Sequence, residues 1–146
     1  MIAVDTNILV AAHREDSGWH EPAYAAVAAL AEAAAPWAIP WPCVHEFLAI
    51  ATHQRIFSPP SPLPAALAQV DAWMESPSLV LLTESSEHWR SLRASLDRAL
   101  ATGPLVHDAR IAALCRQHGV TELWTADRDF SRFPELTVRN PLLDHG

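Results

Sequence analysis

Short apolar runs alternate with longer helical patterns along most of the chain. Residues 79–83 include a continuous apolar run, which is typical of a strand buried in a parallel sheet. Other short runs predict strands at residues 1–4, at 37–40, around Leu123 and at 137–139. Apolar residues at helical spacing predict helices at residues 7–13, 21–34, 44–53, 63–74, 87–101 and 105–118. Strands that alternate with helices indicate an α/β fold with a mainly parallel central sheet.

Residues that begin or end helices support this division. Ser85 or Ser86 is a candidate cap for the fifth predicted helix, and Gly119 is a stop signal for the sixth. The proline-rich segment 58–62 predicts a rigid surface loop, too short to separate two domains. We therefore expect a single domain over residues 1–146, a length that suits one ordinary domain with its own core.

Four carboxylates, Asp5, Glu46, Asp108 and Asp127, lie where a parallel sheet would bring them together, and Asp129 is a further candidate close to the last of them. Asp5 directly follows the first predicted strand, and Asp127 and Asp129 follow the fourth. Glu46 and Asp108 lie in or at the start of helical patterns. Ligands bind at the carboxyl ends of the strands in an open parallel sheet, so the acids are expected to converge there. Crowded carboxylates must keep a proton or hold a cation, and all-oxygen ligation favours Mg²⁺ or Mn²⁺.

Each acid also has an ordinary structural interpretation. Asp5 is a suitable helix cap, and Glu46 is a typical solvated helix residue. Asp108 in the first turn of its helix would interact favourably with the helix dipole. Asp-rich turns are common, which applies to Asp127 and Asp129. Asp127 lies closer to the strand end and is the better ligand candidate, so Asp129 is interpreted as a second ligand or an outer partner.

Polar neighbours of these acids have two possible roles each. Thr6 and Asn7 can bond to the first carboxylate or cap the following helix, and Thr125 can hydrogen-bond a carboxylate or an attacking water. His45 and His107 each precede an acid, but neighbouring helix positions point about 100° apart. We therefore interpret both histidines as exposed or outer residues rather than as metal ligands.

Composition narrows the class of protein. The formal charge is −7 and all ten basic residues are arginine, which argues against a general nucleic-acid coat protein but does not exclude a nuclease. Cys43 and Cys115 do not form a Cys-x-x-Cys pair and are interpreted as core residues of a reducing compartment. Neither a membrane span nor a signal-peptide pattern is recognised, so we expect a cytoplasmic protein.

The order of these motifs is more specific than any one of them. An acid after the first strand, a helical Glu, an Asp in the penultimate helix and the segment Thr-Ala-Asp-Arg-Asp-Phe at 125–130 together resemble the PIN-domain family. Over essentially its whole length the chain resembles VapC-type toxin ribonucleases, and its segment 128–134 resembles the mycobacterial branch. The acidic quartet that this resemblance implies is Asp5, Glu46, Asp108 and Asp127.

The resemblance implies a PIN-like three-layer α/β/α fold and an endoribonuclease that hydrolyses RNA phosphodiester bonds with Mg²⁺ or Mn²⁺. In this hypothesis Asp5 and Asp108 bind metal directly, and Glu46 and Asp127 complete the site directly or through waters. The resemblance also implies a VapB-like antitoxin as partner and a homodimer. A less typical feature is the low basicity of the chain.

Other classes of protein agree less well with the sequence. Haloacid-dehalogenase-type phosphatases need a second Asp two residues after the first, where this chain has Asn7. Those enzymes and response-regulator receivers usually rely on a lysine, and the chain contains none. The remaining alternative is a non-catalytic PIN-like module that binds RNA or protein, although an intact acidic set would repel RNA.

Overall fold

A computed structural model of the protein describes residues 1–143. Five strands form one sheet in which every neighbouring pair is parallel, in the order β3-β2-β1-β4-β5. The strands are β1 (Ile2–Val4), β2 (Trp37–Pro40), β3 (Leu79–Leu82), β4 (Glu122–Trp124) and β5 (Val138–Arg139). The sequence-based prediction of five strands in a parallel sheet is confirmed.

Helices cover both faces of the sheet and complete a three-layer α/β/α fold. They are α1 (Thr6–His13), α2 (His20–Glu32), α3 (Trp41–Ala51), α4 (Leu63–Met74), α5 (His88–Ala99) and α6 (Leu105–Gln117), followed by a 3₁₀ helix (Arg128–Arg132). Helix α1 packs against both α2 and α3, α3 packs against α4, and α5 pairs with α6. None of the helices within residues 1–143 has the length and apolarity needed to cross a membrane.

The start of α3 and the cap of α5 differ from the prediction. Helix α3 begins three residues earlier, at Trp41, because Pro42 occupies its first turn, where proline's missing N–H is not needed. Neither Ser85 nor Ser86 caps α5: Glu87 is the residue before the helix and makes no side-chain cap. Ser85 Oγ instead donates to Gln117 Oε1 (3.0 Å) and accepts from the Glu87 N–H, so that hydroxyl is already engaged.

The order in which strands are added to the sheet reverses at its centre. From β1 the chain proceeds to β2 on one side, and later returns to β4 on the other side. Val4 of β1 lies beside Trp124 of β4 in the parallel register, so the residues that follow these strands emerge side by side. This reversal of strand order is the position at which open parallel sheets bind ligands.

The core beneath this position is apolar and tightly filled. Trp37, Phe47, Phe130 and Phe133 are at most 1% exposed. Trp124 is buried, whereas Trp19 and Trp89 are exposed. Both cysteines are buried free thiols, in agreement with their interpretation as core residues. A rigid base of this kind can hold charged side chains at its edge.

Candidate metal and active site

A cavity of about 650 Å³ lies beyond the carboxyl ends of β1 and β4. Helix α3 forms one wall, and the first turns of α6 form another. All five carboxylates singled out from the sequence line this single cavity: Asp5, Glu46, Asp108, Asp127 and Asp129.

Asp5 is buried and held by four donors. Its side chain is only 7% exposed. One carboxylate oxygen, Oδ1, accepts from the Thr6 backbone N–H (2.8 Å) and faces Cys43 Sγ at 3.5 Å. The other, Oδ2, accepts from Thr125 Oγ1 (2.8 Å) and Asn7 Nδ2 (3.2 Å). Asp5 therefore caps α1, as its structural interpretation predicted, and it also lines the cavity. Its interpretation as a metal ligand stays a prediction. Burial raises the pKa of Asp5, and the hydrogen bonds from Thr125 and Thr6 oppose that rise.

Asn7 and Thr125 join the two strand ends. Asn7 Nδ2 donates to Thr125 Oγ1 (3.0 Å), and Asn7 Oδ1 accepts from the Ala126 N–H (3.0 Å). Thr125 Oγ1 also accepts from the Asp127 N–H (3.0 Å). The prediction that Thr125 hydrogen-bonds a carboxylate is confirmed. This network fixes Asp127 relative to Asp5.

Asp108, Asp127 and Asp129 form the tightest group of acids. Each offers a carboxylate oxygen within 4.8 Å of the others, a set that could hold one metal ion. Asp108 and Asp127 are partly buried, and Asp129 is exposed. Desolvation, followed by the charges of Asp127, Asp5 and other acids, raises the pKa of Asp108 to about 7. Carboxylates crowded in this way favour retention of a proton near neutral pH, and a bound cation would stabilise their ionised forms.

Glu46 approaches the site from α3. Its Oε2 accepts from Thr6 Oγ1 at 3.4 Å. Desolvation and the charge of Asp5 raise the pKa of Glu46, while His107 across the cavity lowers it. Asp5 and Glu46 line the same cavity as the group of three, but lie outside that group among the described residues.

The contact of Cys43 with Asp5 was missed from the sequence. Cys43 precedes Glu46 by three residues, so both lie on one face of α3, which is directed at the turn after β1. Burial, followed by the charge of Asp5, raises the pKa of Cys43, so its thiol stays protonated and can donate. The three-residue spacing before Glu46 was the available signal.

Four arginines are candidates for phosphate contact, although solvation is the ordinary role of a surface arginine: Arg14, Arg110, Arg128 and Arg132. Arg14 binds Asp16 and the Pro59 carbonyl, and Arg132 donates to the Ala99 carbonyl. Arg110 lines the cavity and pairs with Glu84 at 3.3 Å. The cavity lining includes neither Arg128 nor the two arginines that are bound elsewhere.

Comparison with known proteins identifies the family of the chain. The family model for the PIN domain matches residues 2–136. The chain therefore belongs to the PIN-domain family. It is 36% identical over 143 residues to Ribonuclease VapC31 of Mycobacterium tuberculosis, covering 97% of this chain and 100% of the relative. It is 33% identical over 142 residues to VapC ribonuclease Mb2897 of Mycobacterium bovis, covering 97% and 96%.

Solved structures share the fold at lower identity. VapBC2 from Rickettsia felis, bound to a DNA fragment from its promoter, gives a TM-score of 0.66 at 19% identity, covering 96% of this chain and 98% of the matched chain. VapC20 of Mycobacterium tuberculosis, a sarcin-ricin loop cleaving toxin, gives 0.65 at 17% identity, covering 90% and 93%.

Proposed function

We propose that this chain is a metal-dependent endoribonuclease, the toxin of a VapBC-like toxin–antitoxin pair. The observation that carries the proposal is the convergence of five carboxylates in one cavity at the strand ends. The proposal is supported by membership of the PIN-domain family and by full-length relatives named as VapC ribonucleases. We take residues 1–146 as one catalytic domain that acts in the cytoplasm.

The acids suit a hard divalent cation. The donor set contains only oxygen, which favours Mg²⁺ or Mn²⁺ over softer metals. Asp108, Asp127 and Asp129 would hold the cation, with Asp5 and Glu46 completing the site. When bound, the cation supplies Lewis-acid chemistry, neutralising charge on the phosphodiester and activating water for attack.

The remaining polar residues orient this machinery. Thr125 and Asn7 keep Asp5 in one orientation, and Thr6 does the same for Glu46. Carboxylates held by hydrogen bonds need little rearrangement during the reaction, which favours catalysis. The five acids together would repel RNA in the absence of metal, and this weighs against a non-catalytic RNA-binding module.

A VapB-like antitoxin is the proposed protein partner. An apolar groove of about 510 Å³ adjoins the acidic cavity, and Asn7 and Ile50 line both. Trp19, which is 48% exposed, and Phe57 contribute aromatic surface to this groove. Exposed apolar grooves with aromatic residues are typical of protein interfaces. We also propose a homodimer, by analogy with the family.

Cleavage of RNA is the direct test of the enzyme. Purified, antitoxin-free protein is incubated with total cellular RNA and Mg²⁺ or Mn²⁺, with EDTA and Asp108→Asn as controls. We expect discrete fragments that require metal and that the variant does not produce. Intact RNA with either metal, from protein shown to be folded, would instead support the binding module.

The metal site can be tested without activity. We expect Mn²⁺ to raise the melting temperature of the wild type, because a ligand that binds only the folded state stabilises it. The same addition should leave an Asp5→Asn, Asp108→Asn double variant unchanged. An equal rise in both proteins would contradict a metal site at these acids.

A further inference from the structure

Helices α3 and α6 open with the same short motif. Residues 42–46 read Pro-Cys-Val-His-Glu, and residues 104–108 read Pro-Leu-Val-His-Asp. In each helix a histidine directly precedes an acid of the proposed metal site. The two motifs face each other across the cavity, since both prolines, both histidines and both acids line it.

The cavity-facing positions of both helices follow helical spacing. From α3 they are residues 42, 45, 46, 49 and 50, and from α6 they are 107, 108, 110 and 111. The acids lie towards the strand ends, and Ile50 and Ile111 add apolar surface to the walls. His45 and His107 are both exposed within this space. The cavity therefore combines a carboxylate cluster with two walls that carry imidazole rings.

These two histidines differ from the others in their hydrogen bonding. Within residues 1–143, each of the remaining five histidines has at least one ring nitrogen hydrogen-bonded to protein: His13, His20, His53, His88 and His118. Over the same part of the chain, His45 and His107 have no hydrogen bond to protein. The ring of His45 contacts that of Trp41, at 6.0 Å between centroids. Among the described histidines, the two whose rings make no hydrogen bond to protein are thus the two that line the cavity.

We propose that His45 and His107 bind the nucleotides on either side of the scissile phosphate in a single-stranded RNA. This inference rests on the proposed ribonuclease function and extends it to the substrate. When a phosphodiester lies at the acids, the nucleotides on either side of it must lie along the walls formed by α3 and α6. An imidazole can stack on a base and hydrogen-bond to a base edge or phosphate.

Single-stranded RNA suits this cavity better than a duplex. A volume of about 650 Å³ lies in the range of small-ligand pockets, which accommodates a nucleotide or two but not a double helix. Bases of an unpaired strand are also free to stack on aromatic rings. Metal ligation by the histidines is disfavoured, because Mg²⁺ prefers oxygen and the adjacent acids point about 100° away on their helices.

The test separates binding of RNA from the chemical step. A 5′-labelled pool of single-stranded 20-nucleotide RNA of random sequence is cleaved by excess protein in Mn²⁺. For His45→Ala and His107→Ala we expect the half-saturating protein concentration to rise by about five- to 150-fold each, the range for loss of one stacked base. The maximal rate should change by less than about threefold, since the acids are retained.

Matched variants identify the physical cause. His53→Ala removes an exposed histidine outside the cavity and should behave as the wild type. His45→Phe and His107→Phe retain stacking, whereas His45→Asn and His107→Asn retain hydrogen bonding. At each position, one of the two variants should therefore partly restore affinity. The rise in melting temperature on adding Mn²⁺ should equal that of the wild type in every histidine variant.

Three outcomes would overturn the proposal. They are a fall in maximal rate at unchanged half-saturation, loss of the Mn²⁺ effect, and behaviour identical to His53→Ala. Fluorescence anisotropy with the same RNA measures affinity even if the wild type does not cleave it. Weaker binding by the histidine variants would then support this inference, while the absence of cleavage would contradict the proposed function.

Discussion

The carboxylates on the two sides of the acidic cavity differ in burial and in hydrogen bonding. Asp5 is 7% exposed and accepts hydrogen bonds from donors on three different parts of the chain. Asp108 is partly buried, and no donor within residues 1–143 hydrogen-bonds to it. Its nearest described partners are two further acids, Asp127 and Asp129. Hydrogen bonds from the protein satisfy the Asp5 carboxylate. The Asp108 carboxylate lacks such bonds among the described residues and is available to a bound cation.

We therefore expect Asp5 and Asp108 to have different roles in the site. Hydrogen bonds orient Asp5 before any ligand arrives, and they resist the effect of burial on its pKa. Asp108 has no such compensation, so desolvation and neighbouring charges raise its pKa to about 7. Repulsion among these acids destabilises the metal-free protein, and that repulsion is relieved when a cation binds. Preorganisation on one side and affinity for metal on the other are therefore separable by mutation.

The largest effect is expected from Asp108→Asn. Removal of one carboxylate from the group of three should lower RNA cleavage by more than about 100-fold, since even indirect metal partners contribute 10- to 100-fold. The same variant should be more stable than the metal-free wild type at about pH 8, by about 1 kcal/mol after allowance for solvent screening. Cleavage assays and urea unfolding in EDTA measure the two effects. A variant that is both inactive and less stable would contradict the proposed repulsion.

The pH dependence should follow the raised pKa of Asp108. In the metal-free folded protein the pKa of Asp108 is about 7, whereas the ordinary pKa of an Asp is 3.8. Between these values the folded state binds the extra proton, so its contribution to stability decreases as pH rises. Metal needs the deprotonated carboxylate, so Mn²⁺ affinity should rise by up to about tenfold per pH unit towards pH 7 and level off above it.

Isothermal titration of Mn²⁺ across about pH 5.5 to 8 checks this sign. In Asp108→Asn the residual affinity should depend less steeply on pH. Affinity that is constant throughout this range would show that Asp108 does not compete with metal for a proton.

Most of the residues of the site could be predicted from the sequence, but their arrangement in space could not. Asp5 and Asp127 could be placed at strand ends because apolar runs precede them. Their proximity depends on β1 lying beside β4, and this pairing joins segments about 120 residues apart that carry no local signal. Family resemblance supplied Glu46 and Asp108 as site residues, which their helical patterns left ambiguous.

The supporting contacts were harder to predict. Cys43 is apolar in its local pattern, and only the docking of α3 against the turn after β1 brings its thiol to Asp5. The role of Asn7 as a link between two strand ends likewise requires the sheet order. Local patterns indicate which residues are chemically able to act, whereas tertiary packing decides which of them meet.

A smaller effect is expected on the preorganised side, from Thr125→Val. Valine retains the shape of the buried threonine but loses the donor to Asp5 Oδ2 and the acceptor for the Asp127 N–H. We expect about tenfold lower cleavage and a loss of about 1–3 kcal/mol in the free energy of unfolding. Thr137→Val, at an exposed threonine, is the control. Retention of full activity by Thr125→Val would show that the orientation of Asp5 does not depend on this hydrogen bond.

The smallest effect should come from Cys43, whose thiol is the weakest of the four donors to Asp5. Cys43→Ala should lower cleavage by about two- to fivefold, and Cys43→Ser should remain within about twofold of wild type because a hydroxyl is the stronger donor. Cys115→Ala removes an equally buried sulfur that makes no described hydrogen bond to Asp5. It should therefore reduce stability without reducing the cleavage rate of the folded protein. Equal losses of activity in the two alanine variants would mean that Cys43 acts only by filling the core.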